Sequence, residues 1–176
     1  MKKIYLIRDA KAEGFSQGIS DFEREITKKG KKDILTIGSY MALRGISLDI
    51  ILSSCALRAQ QSAISLAEKL SFSGEQHFLQ ELYFGSNDAL LEIVKAQDDK
   101  FENLAIVGHN PQLNELINRL TDEHINKIPA MGVVSLSFDI ESWSDIDESV
   151  GKMEFFIYPK QFKYYMPKQI QATLLR

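Results

Sequence analysis

The chain has 176 residues, 44% hydrophobic and 26% charged, with a net charge of −3. This length suits one domain, expected to span residues 1–176, with a substantial buried core, and the slight acidity argues against nucleic-acid binding, which needs a basic surface. A single cysteine, Cys55, excludes an internal disulfide and points to a reducing, cytoplasmic setting, while the lack of any apolar run near the ~20 residues of a membrane span argues against membrane association.

Residues 3–7 (Lys-Ile-Tyr-Leu-Ile) form a short apolar, β-branched run, read as a buried strand. Residues 8–26 are polar and contain Gly14, Ser16 and Gly18, which predicts a loop. Thr27 is placed to cap a helix over 28–44, with Ile34, Leu35, Ile37, Met41 and Ala42 on its inner side and Gly45 at its end. Leu48–Ser53 is a second strand. A helix over 57–70 follows, and Ala56, Ala59, Ala63, Leu66, Ala67 and Leu70 mark its buried face. A weak strand at His77–Leu79, a short helix at Asp88–Lys95 and a clear strand at Leu104–Val107 come next. The helix after Pro111 buries Leu113, Leu116, Ile117 and Leu120. Val133–Phe138 and Met153–Tyr158 are strands with no helix between them, so they should pair antiparallel. The acidic stretch Glu141–Glu148 reads as a solvated turn, and the tail from Lys160 to Arg176 as chain packed on the domain, with contact to a partner as the less favoured alternative. Together these predict an α/β/α sandwich whose sheet is mostly parallel with an antiparallel edge.

Ligands of such sheets bind beyond the carboxyl ends of the strands. Arg8 and Asp9 follow the first strand. Ser53, Ser54 and, at the head of a helix, Arg58 follow the second. Gly108, His109 and Asn110 follow the third. Two arginines and a histidine are thus expected on one rim, beside helix N-termini. Guanidinium forks and helix dipoles suit phosphate oxygens, so the rim reads as a phosphoryl-binding pocket.

At these residues the chain resembles the histidine phosphatase superfamily, which has the phosphoglycerate mutase-like fold, and within it the small phosphohistidine phosphatases of the SixA type, associated with bacterial signalling. The resemblance covers most of the chain. It rests on Leu6-Ile7-Arg8-Asp9-Ala10-Lys11-Ala12, on Asp21-Phe22-Glu23-Arg24 with Ile26-Thr27-Lys28-Lys29-Gly30, on the stretch Ser53–Ala63 carrying Arg58, and on Val107-Gly108-His109-Asn110-Pro111. It implies that Arg8, Arg58 and His109 hold the phosphoryl group, and that a histidine at position 9 would attack phosphorus and form phosphohistidine, which water then hydrolyses. It implies no metal and no cofactor. The implied substrate is a phosphorylated protein or a small phosphate ester, and the implied state is a monomer.

The departure is Asp9, which stands where the family pattern has the nucleophile. A carboxylate reaches about 2 Å less far than an imidazole, and a misplacement of ~1 Å already costs about a hundredfold in rate. It also repels phosphate, and Arg8 and Arg58 should keep it ionised. Asp9 is therefore expected to pair with an arginine and partly fill the phosphate site. Two functions compete: an impaired phosphatase, and a pseudoenzyme that binds phosphate groups or phosphoproteins without hydrolysis. A generic nucleotide-binding domain lacks support, since no Gly-x-Gly-x-x-Gly or Walker-type segment follows the first strand. Glu81 is a lesser candidate for a general acid, and Lys11 and Ser16 for substrate contacts. Cys55, His77 and His124 read as ordinary residues outside the chemistry.

Overall fold

A computed structural model describes residues 1–148 and 150–162. In chain order the elements are β1 (Lys2–Arg8), a short 3-10 turn (Asp21–Glu23), α1 (Lys28–Leu43), β2 (Ile50–Ser54), α2 (Leu57–Lys69), β3 (Glu75–Leu79), α3 (Glu81–Phe84), α4 (Asn87–Lys95), β4 (Asn103–Gly108), α5 (Gln112–Leu120), β5 (Val133–Phe138), a second 3-10 turn (Trp143–Asp145), β6 (Lys152–Ile157) and a third (Pro159–Phe162). The strands join in one sheet of order β3-β2-β4-β1-β5-β6. β1 and β2 each run parallel to β4, and β3 runs parallel to β2. β5 runs antiparallel to β1, and β6 antiparallel to β5, as expected from two strands with no helix between them.

Strand alternation divides the core in two. On β1, Ile4 and Leu6 point to one face, where they join Leu90 of α4, Leu113, Leu116 and Ile117 of α5, and Trp143. Tyr5 and Ile7 point to the other, against Ile34, Ile37 and Met41 of α1 and the small Ala59 and Ala63 of α2. The central strands are almost wholly buried because helices cover both faces. The outer strand β3 is mostly exposed and carries Glu75 and His77, polar residues that discourage further pairing at a sheet edge.

Three expectations need correction. Leu35 and Ala42 lie on the solvent side of α1, because each is one residue, about 100° of helix, beyond the buried Ile34 and Met41. The 141–148 stretch is more than a solvated turn: Trp143 and Ile146 are fully buried, and the Trp143 indole N–H donates to the Phe101 carbonyl at 2.8 Å, so the only tryptophan closes one end of the core. The 8–26 loop contains the Asp21–Glu23 turn and an isolated bridge between Ala12 and Ile26. The tail is described only as far as Phe162, and the expectation for its remainder lies outside the described residues.

That loop is fixed to the head of α1. The Thr27 hydroxyl accepts from the Gly30 N–H at 2.9 Å, capping the helix, while the Thr27 N–H donates to the Lys11 carbonyl. Gly30 is needed at this approach, since a Cβ there would lie 2.5 Å from the Lys11 oxygen.

Candidate active site

β4 sits between β1 and β2, and the register of the three strands sets the site. Arg8 pairs with Gly108, and Ser53 with Val107. The next residues, Asp9, His109 and Ser54, therefore emerge together at the carboxyl edge. The Asp9 N–H donates to the Gly108 carbonyl at 3.0 Å, which brings Asp9 alongside His109. Arg58 enters from the first turn of α2 and is 8% exposed, so it is no solvated helix residue.

The Asp9 carboxylate lies at the centre, 7% exposed. Its Oδ2 is 2.9 Å from Arg58 Nε, and its Oδ1 is 3.0 Å from His109 Nδ1. A carboxylate only accepts, so Nδ1 carries the proton. His109 Nε2 lies 2.8 Å from the Ser54 hydroxyl, and in the neutral ring this nitrogen accepts from it. The Ser54 oxygen in turn accepts from the Ala56 N–H at 3.2 Å. The order serine–histidine–aspartate is that of a hydrolytic triad. Ser54 is fully buried, however, so its hydroxyl anchors the ring rather than meeting a substrate.

Arg58 is held on every side of its fork. Nη1 donates to the Asp21 carbonyl at 2.8 Å, and Nη2 lies 3.3 Å from Asp21 Oδ2. Asp21 is also bound by Arg24, with Nη2 at 2.6 Å, and by the Tyr83 hydroxyl at 2.6 Å. Burial favours the protonated form of Asp21, but the Tyr83 hydroxyl and the Arg24 and Arg58 guanidinium groups outweigh it and lower its pKa to about 2. The same bond to Asp21 raises the pKa of the Tyr83 hydroxyl. The Tyr83 ring meets His109 edge-on at 5.6 Å.

The depressed Asp21 value has a direct consequence. The unfolded chain takes up this proton near pH 4, whereas the folded chain holds Asp21 charged down to about pH 2. The stabilisation is complete above the unfolded pKa and is lost as pH falls through 2. Acid unfolding followed by circular dichroism between pH 5 and pH 2 is expected to flatten in Asp21→Asn relative to the parent; identical acid profiles would refute the assignment.

The other candidates separate. Arg8 does not pair with Asp9: its Nη1 donates to the Ile128 carbonyl at 2.8 Å, which the Asn110 amide also reaches at 2.9 Å. The carboxylate is thus held by Arg58 and His109, not by both arginines. Lys11, Ser16 and Glu81 are exposed, and among the described residues their side chains make no hydrogen bond or ion pair. His77 and His124 are exposed and away from the site. Among the described residues no group of three or more His, Cys, Asp or Glu side chains is placed to hold a metal. Asp21 and Tyr83 are the residues that sequence reasoning passed over. Asp21 was visible only as part of the Asp21-Phe22-Glu23-Arg24 segment, and Tyr83 comes to it from 62 positions away.

No family model matches the sequence, and no curated protein matches it. Solved structures do match in three dimensions. A candidate phosphohistidine phosphatase SixA from Agrobacterium tumefaciens superposes with a TM-score of 0.78 at 23% identity, over 90% of this chain and 98% of that one. A protein histidine phosphatase SixA in complex with tungstate gives 0.79 at 17% identity, over 92% and 99%. A candidate alpha-ribazole-5'-P phosphatase from Escherichia coli gives 0.66 at 13% identity, over 90% and 98%. With its six-stranded mixed sheet and helices on both faces, the chain has the α/β fold of the SixA histidine phosphatases and their phosphoglycerate mutase-like relatives.

Proposed function

We propose that the chain is a histidine phosphatase-type protein that engages a phosphoryl group on a phosphorylated protein or a small phosphate ester, and that Asp9 suppresses its turnover by occupying the phosphoryl seat. The observation that carries this reading is the Asp9 carboxylate held between Arg58 Nε and His109 Nδ1, at 2.9 and 3.0 Å. Both nitrogens are donors suited to phosphoryl oxygens, and an anion already satisfies them. The tungstate complex of a SixA structure supports an oxyanion as the ligand of this fold.

Phosphoryl transfer depends on positioning and on stabilising charge, and arginine and histidine donors can supply both. A histidine at position 9 would form a bond to phosphorus as the bond to the leaving group breaks. Water would then cleave the phosphohistidine and release phosphate. Asp9 cannot repeat this from its seat, because both oxygens are engaged and its reach is short. A phosphoryl group must first displace it from Arg58 and His109.

The test is binding of inorganic phosphate, titrated by calorimetry. Asp9→Ala is expected to bind it at least about tenfold more tightly than the parent, since an attached competitor is gone and a repulsive charge is removed. Equal affinity in the two proteins would defeat the self-occupied site. The absence of an imidazole at position 9 also favours a second reading, a binder of phosphoproteins that does not hydrolyse them; tight binding of a phosphohistidine protein by the parent, without phosphate release, would establish it.

A further inference from the structure

We infer that an exposed aromatic rim beside the candidate site docks a protein surface that surrounds its phosphorylated residue with apolar and basic side chains; this rests on the phosphatase-type reading above. Phe15 is 80% exposed, Phe84 74% and Ile19 48%. Scattered apolar side chains on a surface need no explanation, but Phe15 and Phe84 are tied to the site by continuous contacts. The Arg24 guanidinium lies 4.6 Å from the centre of the Phe15 ring, and Arg24 is paired with Asp21. Asp21 bonds Tyr83, whose ring meets Phe84 edge-on at 4.7 Å. Phe15 and Phe84 therefore sit at the two ends of a chain of contacts that passes Arg58 and His109. Exposed aromatic residues of this kind anchor protein interfaces.

The charge of the rim selects the partner. Residues 11–26 carry Lys11 and Arg24 against Glu13, Asp21, Glu23 and Glu25, a balance of −2. Glu13, Glu25 and, at the head of α3, Glu81 are exposed and form no ion pair among the described residues. A free phosphate anion approaching this rim is repelled. A phosphorylated side chain set among lysines or arginines on a protein is not, because its neighbours pair with the glutamates while its apolar residues cover Phe15 and Phe84.

The experiment uses Asp9→His and two synthetic phosphohistidine peptides of equal length, one flanked by Leu and Lys, the other by Ser and Glu, with phosphoramidate as the small substrate. The Leu/Lys peptide is expected to show a KM at least about tenfold lower, a preference that shrinks with salt. At high salt, where the glutamates are screened, the double substitution Phe15→Ser, Phe84→Ser should abolish the preference that remains, and at any salt it should leave phosphoramidate kinetics unchanged. Equal KM values for the two peptides, or a high-salt preference that survives the double substitution, would overturn the docking rim. Should Asp9→His turn over neither peptide nor phosphoramidate, the phosphatase reading fails. Docking is then decided by fluorescence titration of the unphosphorylated Leu/Lys peptide: binding lost on the double substitution supports the rim, and no binding to the starting chain overturns it.

Discussion

Asp9→His is expected to raise phosphate release from phosphoramidate, and from a phosphohistidine protein, by at least about a hundredfold over the parent chain. The rest of the constellation is already in place. Arg58 lines the site with its guanidinium held by Asp21, and Ser54 fixes the His109 ring through Nε2. The imidazole would remove the internal anion, free Arg58 Nε and His109 Nδ1 for the phosphoryl oxygens, and extend a nucleophilic nitrogen toward phosphorus. These effects act in one direction, so the gain should appear in kcat as well as in KM. Adding His109→Ala to this variant should remove most of the gain, because transition-state charge then loses a donor. Equal rates for the parent and Asp9→His would mean that another group does the chemistry, or that the fold is used for something else. The measurement is steady-state release of inorganic phosphate, with acid-quenched protein checked for a phosphorylated intermediate.

Most of the fold was legible because its signals are local. Buried runs such as Leu104–Val107 declare themselves, and two late strands without a helix must pair antiparallel. What was illegible depends on tertiary context. Leu35 looks like a core leucine by type, yet the helix phase set by Ile34 and Met41 turns it outward. Trp143 sits in an acidic run, and only the groove beside β1 and α4 explains its burial. At the site, the convergence of Asp9, Arg58 and His109 could be read from their places after parallel strands, and the pairing of Asp9 with an arginine followed from charge alone. Which arginine it pairs with could not be read. Arg8 is adjacent in sequence, but strand alternation sends its side chain to the opposite face from that of Asp9, toward the Ile128 carbonyl. Arg58 lies on the helix that follows β2 and reaches back. Asp21 escaped notice because its role needs Tyr83, Arg24 and Arg58 together, from three segments of chain.

Arg58→Ala is expected to cost about 3–5 kcal/mol of stability, far more than removal of a surface arginine. Arg58 and Asp9 are both about nine-tenths buried, and the 2.9 Å contact between them is the main cationic compensation for the Asp9 carboxylate. Without Arg58 that charge keeps only His109, whose other nitrogen is committed to Ser54. Asp21 loses less, since its side chain is a third exposed and keeps Arg24. A double-mutant cycle separates the two losses. If the cost arises from stranding Asp9, then Asp9→Ala with Arg58→Ala should be at least as stable as Arg58→Ala alone, and the cost of the double variant should fall short of the summed single costs by a coupling on the order of 1–3 kcal/mol in urea unfolding. Additive single effects would show that Arg58 contributes by packing α2 rather than by neutralising Asp9. The same reasoning sets the sign in Asp9→His. There no carboxylate waits at position 9, so Arg58→Ala should cost little stability and most of the activity. An arginine that stabilises the fold in the parent and the transition state in the variant links the two predictions: the cation is the same, and the anion it meets decides whether it serves structure or catalysis.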